Sequence, residues 1–410
     1  MKIMLVSLWG APPTINAQSY RSGKIAKYLS RLGHELFVLS HRCNPGIPID
    51  ENLVKDMSSL GKVTEYQLRR SILPKNNRFV SVLNILGMPD NYGPWVLGNF
   101  KKISRIIDRE RIDTVITSNT PSAYILGALL SKKKGIHWIA DLADLWVGNP
   151  GFLMPTRYHQ SLQAHFESST FKHVSGITYP VESWDEMLSK RFPGKPICYI
   201  PNSYDKEDFS QPFQPDPNPN DRVTFCYLGT IYRDFDLAFL KATVELIKAH
   251  PELKSKIKYR LIGQIGPKKA EEIKSYSKHF EIDLLGIIDH STMISELKAS
   301  DFLIFSIGAG SFAQYSATAR LPMYLGSGKP VIACCIPSSP SDSLFRRYGC
   351  WRIADARDIT GIMKCIEEAC LVSGSSDIIS RGIPSQDSLK SIEWSGTIDR
   401  LDSFLGSICK

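Results

Sequence analysis

The sequence predicts an α/β fold made of two open-sheet domains, and three observations carry that prediction. Short apolar runs rich in β-branched residues alternate along the chain with segments of helical period, the pattern of parallel β-α-β units. The 410 residues exceed what one hydrophobic core supports, and 43% of them are hydrophobic, enough for two cores. A proline-rich stretch from Tyr204 to Asp221, "YDKEDFSQPFQPDPNPND", separates two such alternating series and reads as a linker.

In the first series "KIMLVSLWG" reads as a strand, Ser19 to Leu32 as a helix and "HELFVLSHR" as the next strand. "LGNFKKISRIIDRERI" follows as a basic amphipathic helix, "DTVITSNTP" as strand and loop, "AYILGALLSKKKG" as helix and "IHWIADLADLW" as a strand running into a loop. Between them, Arg69 to Pro94 has no clean period and is expected to be a long insertion, or else a mobile flap or membrane-facing element. The second series alternates from "VTFCYLG" through "DLAFLKATVELIKAH", "IKYRLIG", "KKAEEIKSYSKHF", "IDLLGII" and "TMISELKAS" to "DFLIFSIG". "LKSIEWSGTIDRLDSFLGSICK" reads as a closing helix. Two parallel sheets present two sets of strand carboxyl ends, where ligands of open α/β sheets bind, so a cleft between them is the expected site.

Composition narrows the function. Nine cysteines without a C-x-x-C pair point to a reducing cytoplasm, and His and Cys never approach zinc-ligand spacing. "MKIMLVS" is a first buried strand rather than a signal peptide, and no apolar run approaches the roughly 18 residues of a membrane span. Net charge is +9, but residues 1–203 hold 25 Lys+Arg against 15 Asp+Glu and residues 204–410 hold 25 against 26. The positive excess therefore lies in the first half, where it serves solubility or attracts anionic lipid head groups or a phosphorylated acceptor. No base-reading or stacking motif accompanies it, so nucleic acid is not expected.

Six pieces, in order, resemble the GT-B glycosyltransferases of the family 4 type: "LGHELFVLS", "MPDNYGPW", "RIDTVITSNTPSAYILGALLSKKKGIHWIADLADLW", "YIPNSYDKEDF", "FCYLGTI" and "LPMYLGSGKPVIA". The resemblance covers nearly the whole chain. It implies two Rossmann-like domains facing a cleft: an acceptor-side domain, 1–203, joined by about 388–410 through a crossing-back helix near Trp394, and a donor-binding domain, 204–387. It also implies transfer of a sugar, with retention, from a nucleoside diphosphate-sugar to a hydroxyl of a surface glycan or lipid-linked acceptor. The protein would be cytoplasmic, or peripheral at an anionic membrane surface. The expected cofactor list is empty, with no essential metal, because no D-x-D pair lies beside the donor elements.

Residues are assigned on the same footing. Gly229 and Thr230 follow a strand and let backbone approach a diphosphate, and Arg233 is a phosphate partner. Gly263, with Gly266, repeats the strand-then-glycine pattern, and Gly286, Ile287 and Ile288 present backbone to the base. Gly308 and Gly310 precede a short helix expected over Ser316 to Tyr324, whose amino terminus faces the leaving diphosphate. Arg320 stands where similar proteins often carry a lysine that grips this group. The family's two glutamates are replaced by Tyr315 and Met323, and Pro322 restricts the helix to a first-turn position or kinks it. In the first domain Asp141 and Asp144 either orient an acceptor hydroxyl or tie down the following loop. Ala143 replaces the signature's arginine, which removes an expected ion pair. Asn16, Tyr20, Arg21, Asn119 and Thr120 line the acceptor side. The alternatives are an epimerase of the same architecture and a catalytically silent partner subunit.

Overall fold

The computed structural model describes residues 1–41, 48–59, 61–68, 88–149, 156–210, 222–231, 237–373 and 382–409. The chain divides into two units, Met1–Pro201 with Trp394–Lys410, and Asn202–Glu393. Most of the Arg69–Pro94 insertion, the second half of the proline-rich stretch and Arg233 lie outside the described residues.

The first unit contains strands β1 (Lys2–Ser7), β2 (Glu35–His41), β3 (Lys62–Leu68), β4 (Thr114–Ser118), β5 (His137–Asp141), β6 (Gly176–Tyr179) and β7 (Ile197–Tyr199). They form one parallel sheet in the order β3-β2-β1-β4-β5-β6-β7. The order reverses between β1 and β4, which is the position where open α/β sheets hold ligands. Helices α1 (Ala17–Arg31), α2 (Glu51–Met57), α3 (Gly93–Glu110), α4 (Pro121–Leu130), α5 (Arg157–Phe171) and α6 (Asp185–Arg191) connect the strands. Capping side chains set where several begin: Asn16, Asp50, Thr120 and Thr156 each accept a backbone N–H of the first turn of α1, α2, α4 and α5. Ile3, Met4, Leu5 and Val6 of β1 are fully buried, as a central parallel strand covered on both faces requires.

The second unit contains β8 (Val223–Leu228), β9 (Ile257–Ile262), β10 (Glu281–Gly286), β11 (Phe302–Ser306), β12 (Val331–Cys335) and β13 (Arg352–Asp355). Their order is β10-β9-β8-β11-β12-β13, again parallel, with its reversal between β8 and β11. Its helices are α7 (Ala238–Ala249), α8 (Pro267–Tyr276), α9 (His290–Ala299), α10 (Arg320–Gly326), α11 (Pro340–Tyr348), α12 (Ile359–Val372) and α13 (Gln386–Leu389). An aromatic row fills its core: Tyr227 stacks on Phe239, Phe225 on Tyr259 and Phe302, and Phe302 meets Trp351. The last helix, α14 (Trp394–Ile408), belongs to the first unit, where Gly176 of β6 leaves room for Phe404 and Ile408.

Helix α3 begins at Gly93, four residues before the expected start, and the closing helix begins at Trp394 after a 3-10 turn at Lys390–Ile392; two further boundaries differ from the sequence reading for a clear physical reason. Residues 204–209 are folded rather than a loose tether: buried Tyr204 donates its N–H to Ile392 O at 3.0 Å, and a short 3-10 turn spans Lys206–Phe209. The expected helix over Ser316–Tyr324 begins only at Arg320, after a separate 3-10 turn at Ser311–Gln314. Pro322 lacks an N–H and is accommodated in the first helical turn, so the helix cannot start much earlier.

Candidate functional site

In the second unit every strand on one side of the order reversal ends on a glycine with positive φ: Gly229 (148°) after β8, Gly263 (130°) after β9 and Gly286 (68°) ending β10. Two of these must be glycine for reasons of space as well. A Cβ on Gly229 would stand 2.1 Å from Arg320 Nη1, and a Cβ on Gly263 would stand 2.3 Å from the carbonyl oxygen of Gly229. The strand-end loops are therefore stacked backbone on backbone, with Arg320 lying directly against Gly229.

Arg320 opens α10. Its Nη1 donates to Leu228 O at the end of β8, and its Nη2 donates to Ser306 O at the end of β11, 3.3 Å away. The guanidinium sits over Tyr227 (5.3 Å from Cζ to the ring centroid) and near Phe305 (5.6 Å). One turn later on the same helix face, fully buried Tyr324 repeats the bridge: its hydroxyl accepts Leu228 N–H at 2.7 Å and donates to Ile304 O at 3.2 Å. Burial raises the Tyr324 hydroxyl well above its ordinary range, so it stays a neutral donor. Arg320 and Tyr324 together clamp α10 to the two strands that flank the order reversal. Tyr324 is a residue the sequence reading missed; its spacing of four from Arg320 is the signal that was available.

Around this clamp the other expected donor residues take up varied positions. Gly308 (φ 74°) follows β11, with its N–H donating to Ser306 Oγ at 3.3 Å, and Gly310 starts the 3-10 turn. Thr230 and Ser316 are half-buried, and Ser316 O accepts from Ser341 Oγ. Ile287 is exposed and Ile288 half-buried beside Gly286 at the far end of the sheet, beyond β9. Met323 is buried within α10, whereas Tyr315, at the other substituted position, is 47% exposed.

In the first unit Asp141 sits at the end of β5, in register with Ser118 on β4 and Thr178 on β6. All three point to one face, so both neighbours reach the same carboxylate. Asp141 Oδ1 accepts from Arg21 Nη2 (2.7 Å) and Thr178 Oγ1 (2.8 Å); Oδ2 accepts from Arg21 Nε (3.0 Å) and Ser118 Oγ (2.7 Å). Burial alone would raise this carboxyl, but the Arg21 charge and these hydrogen bonds hold it below the usual carboxylate range. Four bonds occupy its lone-pair directions, which makes Asp141 an internal anchor rather than a group turned to a hydroxyl. Arg21 in turn donates to Ile200 O (3.1 Å) and Pro201 O (3.4 Å) and lies 5.9 Å from the Trp394 ring. Asp141 thus makes its ion pair with a residue 120 positions away on α1.

Asp144, three residues on, has a different environment. Burial pushes it up to about 6, with the Arg21 charge opposing and the Asp141 charge adding to the rise. The loop that carries it is pinned to α5: Trp146 Nε1 donates to Gln163 Oε1 at 2.9 Å, and Val147 N–H donates to Glu167 Oε1 at 3.1 Å.

Near the β1/β4 reversal, Asn16 caps α1 through Ser19 N–H (2.8 Å), Tyr20 is buried with Lys24 Nζ 5.2 Å from its ring centre, and Thr120 caps α4. Asn119 holds a left-handed backbone (φ 67°), and its buried Oδ1 has no hydrogen-bond partner among the described residues. The start of α4, a natural anion site, is filled from within: Asp90 accepts Ser122 N–H at 2.7 Å and Ser122 Oγ at 2.5 Å. Nothing in the sequence around Asp90 announced this role.

Comparison with known proteins adds a partial family match. Residues 23–208 match the model described as Glycosyltransferase Family 4. No curated protein matches the chain in sequence. Among solved structures, the chain is similar to HepE of Anabaena, solved in complex with UDP and glucose (TM-score 0.66, 12% identity, 99% of this chain and 100% of that one). It is also similar to a glycosyltransferase from Rickettsia africae (TM-score 0.66, 15% identity, 100% and 98%) and to a sucrose-phosphate synthase from Thermosynechococcus elongatus (TM-score 0.61, 12% identity, 100% and 96%). With the two parallel sheets described above, these findings give the chain the GT-B fold, with residues 23–208 similar to glycosyltransferase family 4.

Proposed function

We propose that the protein transfers a sugar from a nucleoside diphosphate-sugar to a hydroxyl of a glycan or lipid-linked acceptor, with retention, and that its second unit holds the donor. The observation that carries this reading is the seating of Arg320 on Gly229 at the carboxyl ends of β8 and β11. A fixed guanidinium beside glycine loops is suited to a diphosphate, because the planar cation forks onto phosphate oxygens and the glycines admit backbone N–H groups at close range. Departure of the nucleoside diphosphate concentrates negative charge on those oxygens, so a preorganised cation there stabilises the transition state. UDP in the similar HepE structure supports the ligand class.

On the acceptor side we assign Asp144, rather than Asp141, to the incoming hydroxyl. A carboxyl raised to about 6 changes protonation near neutral pH, as a proton acceptor in the reaction should, while Asp141 is committed to Arg21. No described helix is long and apolar enough to cross a membrane. The basic first half supports peripheral contact with anionic lipid, and binding to anionic vesicles that weakens with salt is the expected result; salt-independent or absent binding would refute that part.

Donor turnover tests the central reading. A transferase releases nucleoside diphosphate in proportion to glycosylated acceptor. An epimerase converts the donor sugar without any acceptor, and a silent subunit turns over neither, so either of those results would replace the proposal.

A further inference from the structure

The outward face of α3 carries cations that no carboxylate pairs among the described residues. Its inward face is apolar, with Trp95, Val96, Ile103, Ile106 and Ile107 buried. On the opposite side Leu97, Lys101 and Arg105 follow at i, i+4 and i+8 and are exposed, with exposed Lys102 beside them. The crossovers from β3 to β4 and from β4 to β5 run the same way along the sheet, so right-handed connections place α3 and α4 on one face. Lys133, just past α4, ties the two together: its Nζ donates to Ser104 Oγ at 2.8 Å and pairs with Asp108 at 2.6 Å. Its neighbours Lys132 and Lys134 are exposed and extend the charge beyond α3. The acids of this region are already engaged, Asp108 by Lys133 and Glu110 by Arg109 at 2.7 Å. Lys101, Lys102, Arg105, Lys132 and Lys134 have no ion-pair partner among the described residues. Amid these cations Leu97 is 72% exposed.

We propose that this face lies on an anionic lipid surface, with Leu97 entering the interface and the five cations meeting head-group phosphates. The inference rests on the lipid contact read above from the charge of the first half, and gives that contact a place. Charge complementarity selects the occupant, since each Lys or Arg close to an anionic bilayer strengthens binding roughly fivefold. An exposed leucine on a basic amphipathic helix suits the boundary between head groups and acyl chains, whereas an acidic protein would use the cations and leave the leucine without a role. The direction of α3 also serves the transfer reaction. Its carboxyl end lies at the amino ends of the strands, where Lys2 Nζ donates to Glu110 O at 3.0 Å. Its 18 residues, at about 1.5 Å each, carry its amino end to the other edge of the sheet, where Asp90 meets the start of α4 beyond β4. Leu97 therefore lies toward the strand carboxyl ends, the edge of the sheet that also bears Asp144. An acceptor hydroxyl displayed by the bilayer arrives at that edge.

The test measures cosedimentation of the full-length protein with phosphatidylcholine vesicles, with and without phosphatidylglycerol, at low and high salt. Lys101→Glu/Arg105→Glu should bind the anionic vesicles at least roughly twentyfold more weakly than the wild type, with its unfolding transition unchanged. Lys101→Ala/Arg105→Ala should shift binding the same way with less chance of disturbing the fold. Leu97→Ser should weaken binding roughly fivefold, and this loss should persist at high salt, where the electrostatic part is screened. The control is Lys55→Glu/Arg400→Glu, which makes the same change in net charge from exposed residues of α2 and α14; these helices pack with α1 on the other face of the sheet. It should bind nearly as the wild type does. Equal weakening in this control, or unchanged binding in the α3 variants, overturns the inference. So does binding of polyglutamate as tightly as of anionic vesicles with no effect of Leu97→Ser, which would make the face a site for an acidic protein. Wild-type binding that the α3 substitutions leave intact removes only the placement, and a wild type that does not bind anionic vesicles removes the lipid contact proposed above as well.

Discussion

Replacing Gly229 by alanine tests the donor cradle with a single added carbon. The new Cβ would stand 2.1 Å from Arg320 Nη1 and 2.6 Å from Cζ, well inside van der Waals contact. The obstructing atoms are the far end of a flexible side chain, so the guanidinium swings away rather than the sheet deforming. Its bonds to Leu228 O and Ser306 O go with it. Alanine at φ 148° adds backbone strain of about 1–3 kcal/mol, which lowers the melting temperature of a unit this size by roughly 2–10 °C. The larger effect should fall on ligand. Losing a charged hydrogen bond to a diphosphate is worth about 1.5–3 kcal/mol, or roughly 10–100-fold in affinity. Titration calorimetry with nucleoside diphosphates on the wild-type protein and Gly229→Ala measures this, and Arg320→Lys should resemble the glycine variant because an ammonium cannot fork between two carbonyls. Unchanged affinity in Gly229→Ala, in a protein shown to bind nucleotide, would mean that the position of Arg320 is irrelevant to the donor.

Further outcomes follow from the first unit. Asp141→Asn or Arg21→Met should each destabilise by about 3–5 kcal/mol in urea unfolding, because either leaves a buried partner uncompensated, and replacing both together should recover much of the loss. Asp141 has a depressed folded pKa, so its stabilisation is complete above the unfolded value near 3.9 and disappears as pH falls through the lower folded value; Asp141→Asn should remove that part of the acid sensitivity. Asp144 has the opposite sign. Folding favours its protonated form, so stability should fall as pH rises from about 4 through 6, by up to about 3 kcal/mol, and Asp144→Asn should abolish the dependence. The same substitution should remove an ionisation near pH 6 from the kcat/KM profile, and an unaltered profile would exclude Asp144 as the group serving the acceptor.

The order of strands and helices was readable from period alone, because parallel strands buried on both faces are continuous apolar runs such as "KIMLVS" and "DFLIFS". The glycines at 229, 263 and 308 were readable too, since a glycine after a buried strand marks a loop that must bend with positive φ. What the sequence hid are pairings between distant residues. Arg21 and Asp141 meet only because the first turns of α1 reach the ends of β4 and β5, where Gln18 also donates to Ser118, and Asp90 reaches Ser122 across 32 positions. The start of α10 was misplaced because the run from Ser316 reads as helical, although Pro322 limits how many residues can precede it. Tyr324 went unnoticed because a buried tyrosine looks like core until its hydroxyl is seen between Leu228 and Ile304.

A crystal structure of the protein with a bound nucleoside diphosphate would show whether Arg320 holds the donor. Diphosphate oxygens are expected at about 2.7–3.2 Å from the Arg320 guanidinium, with the loop at Gly229 beside them. A diphosphate held elsewhere, with Arg320 engaged only with Leu228 and Ser306, would contradict it.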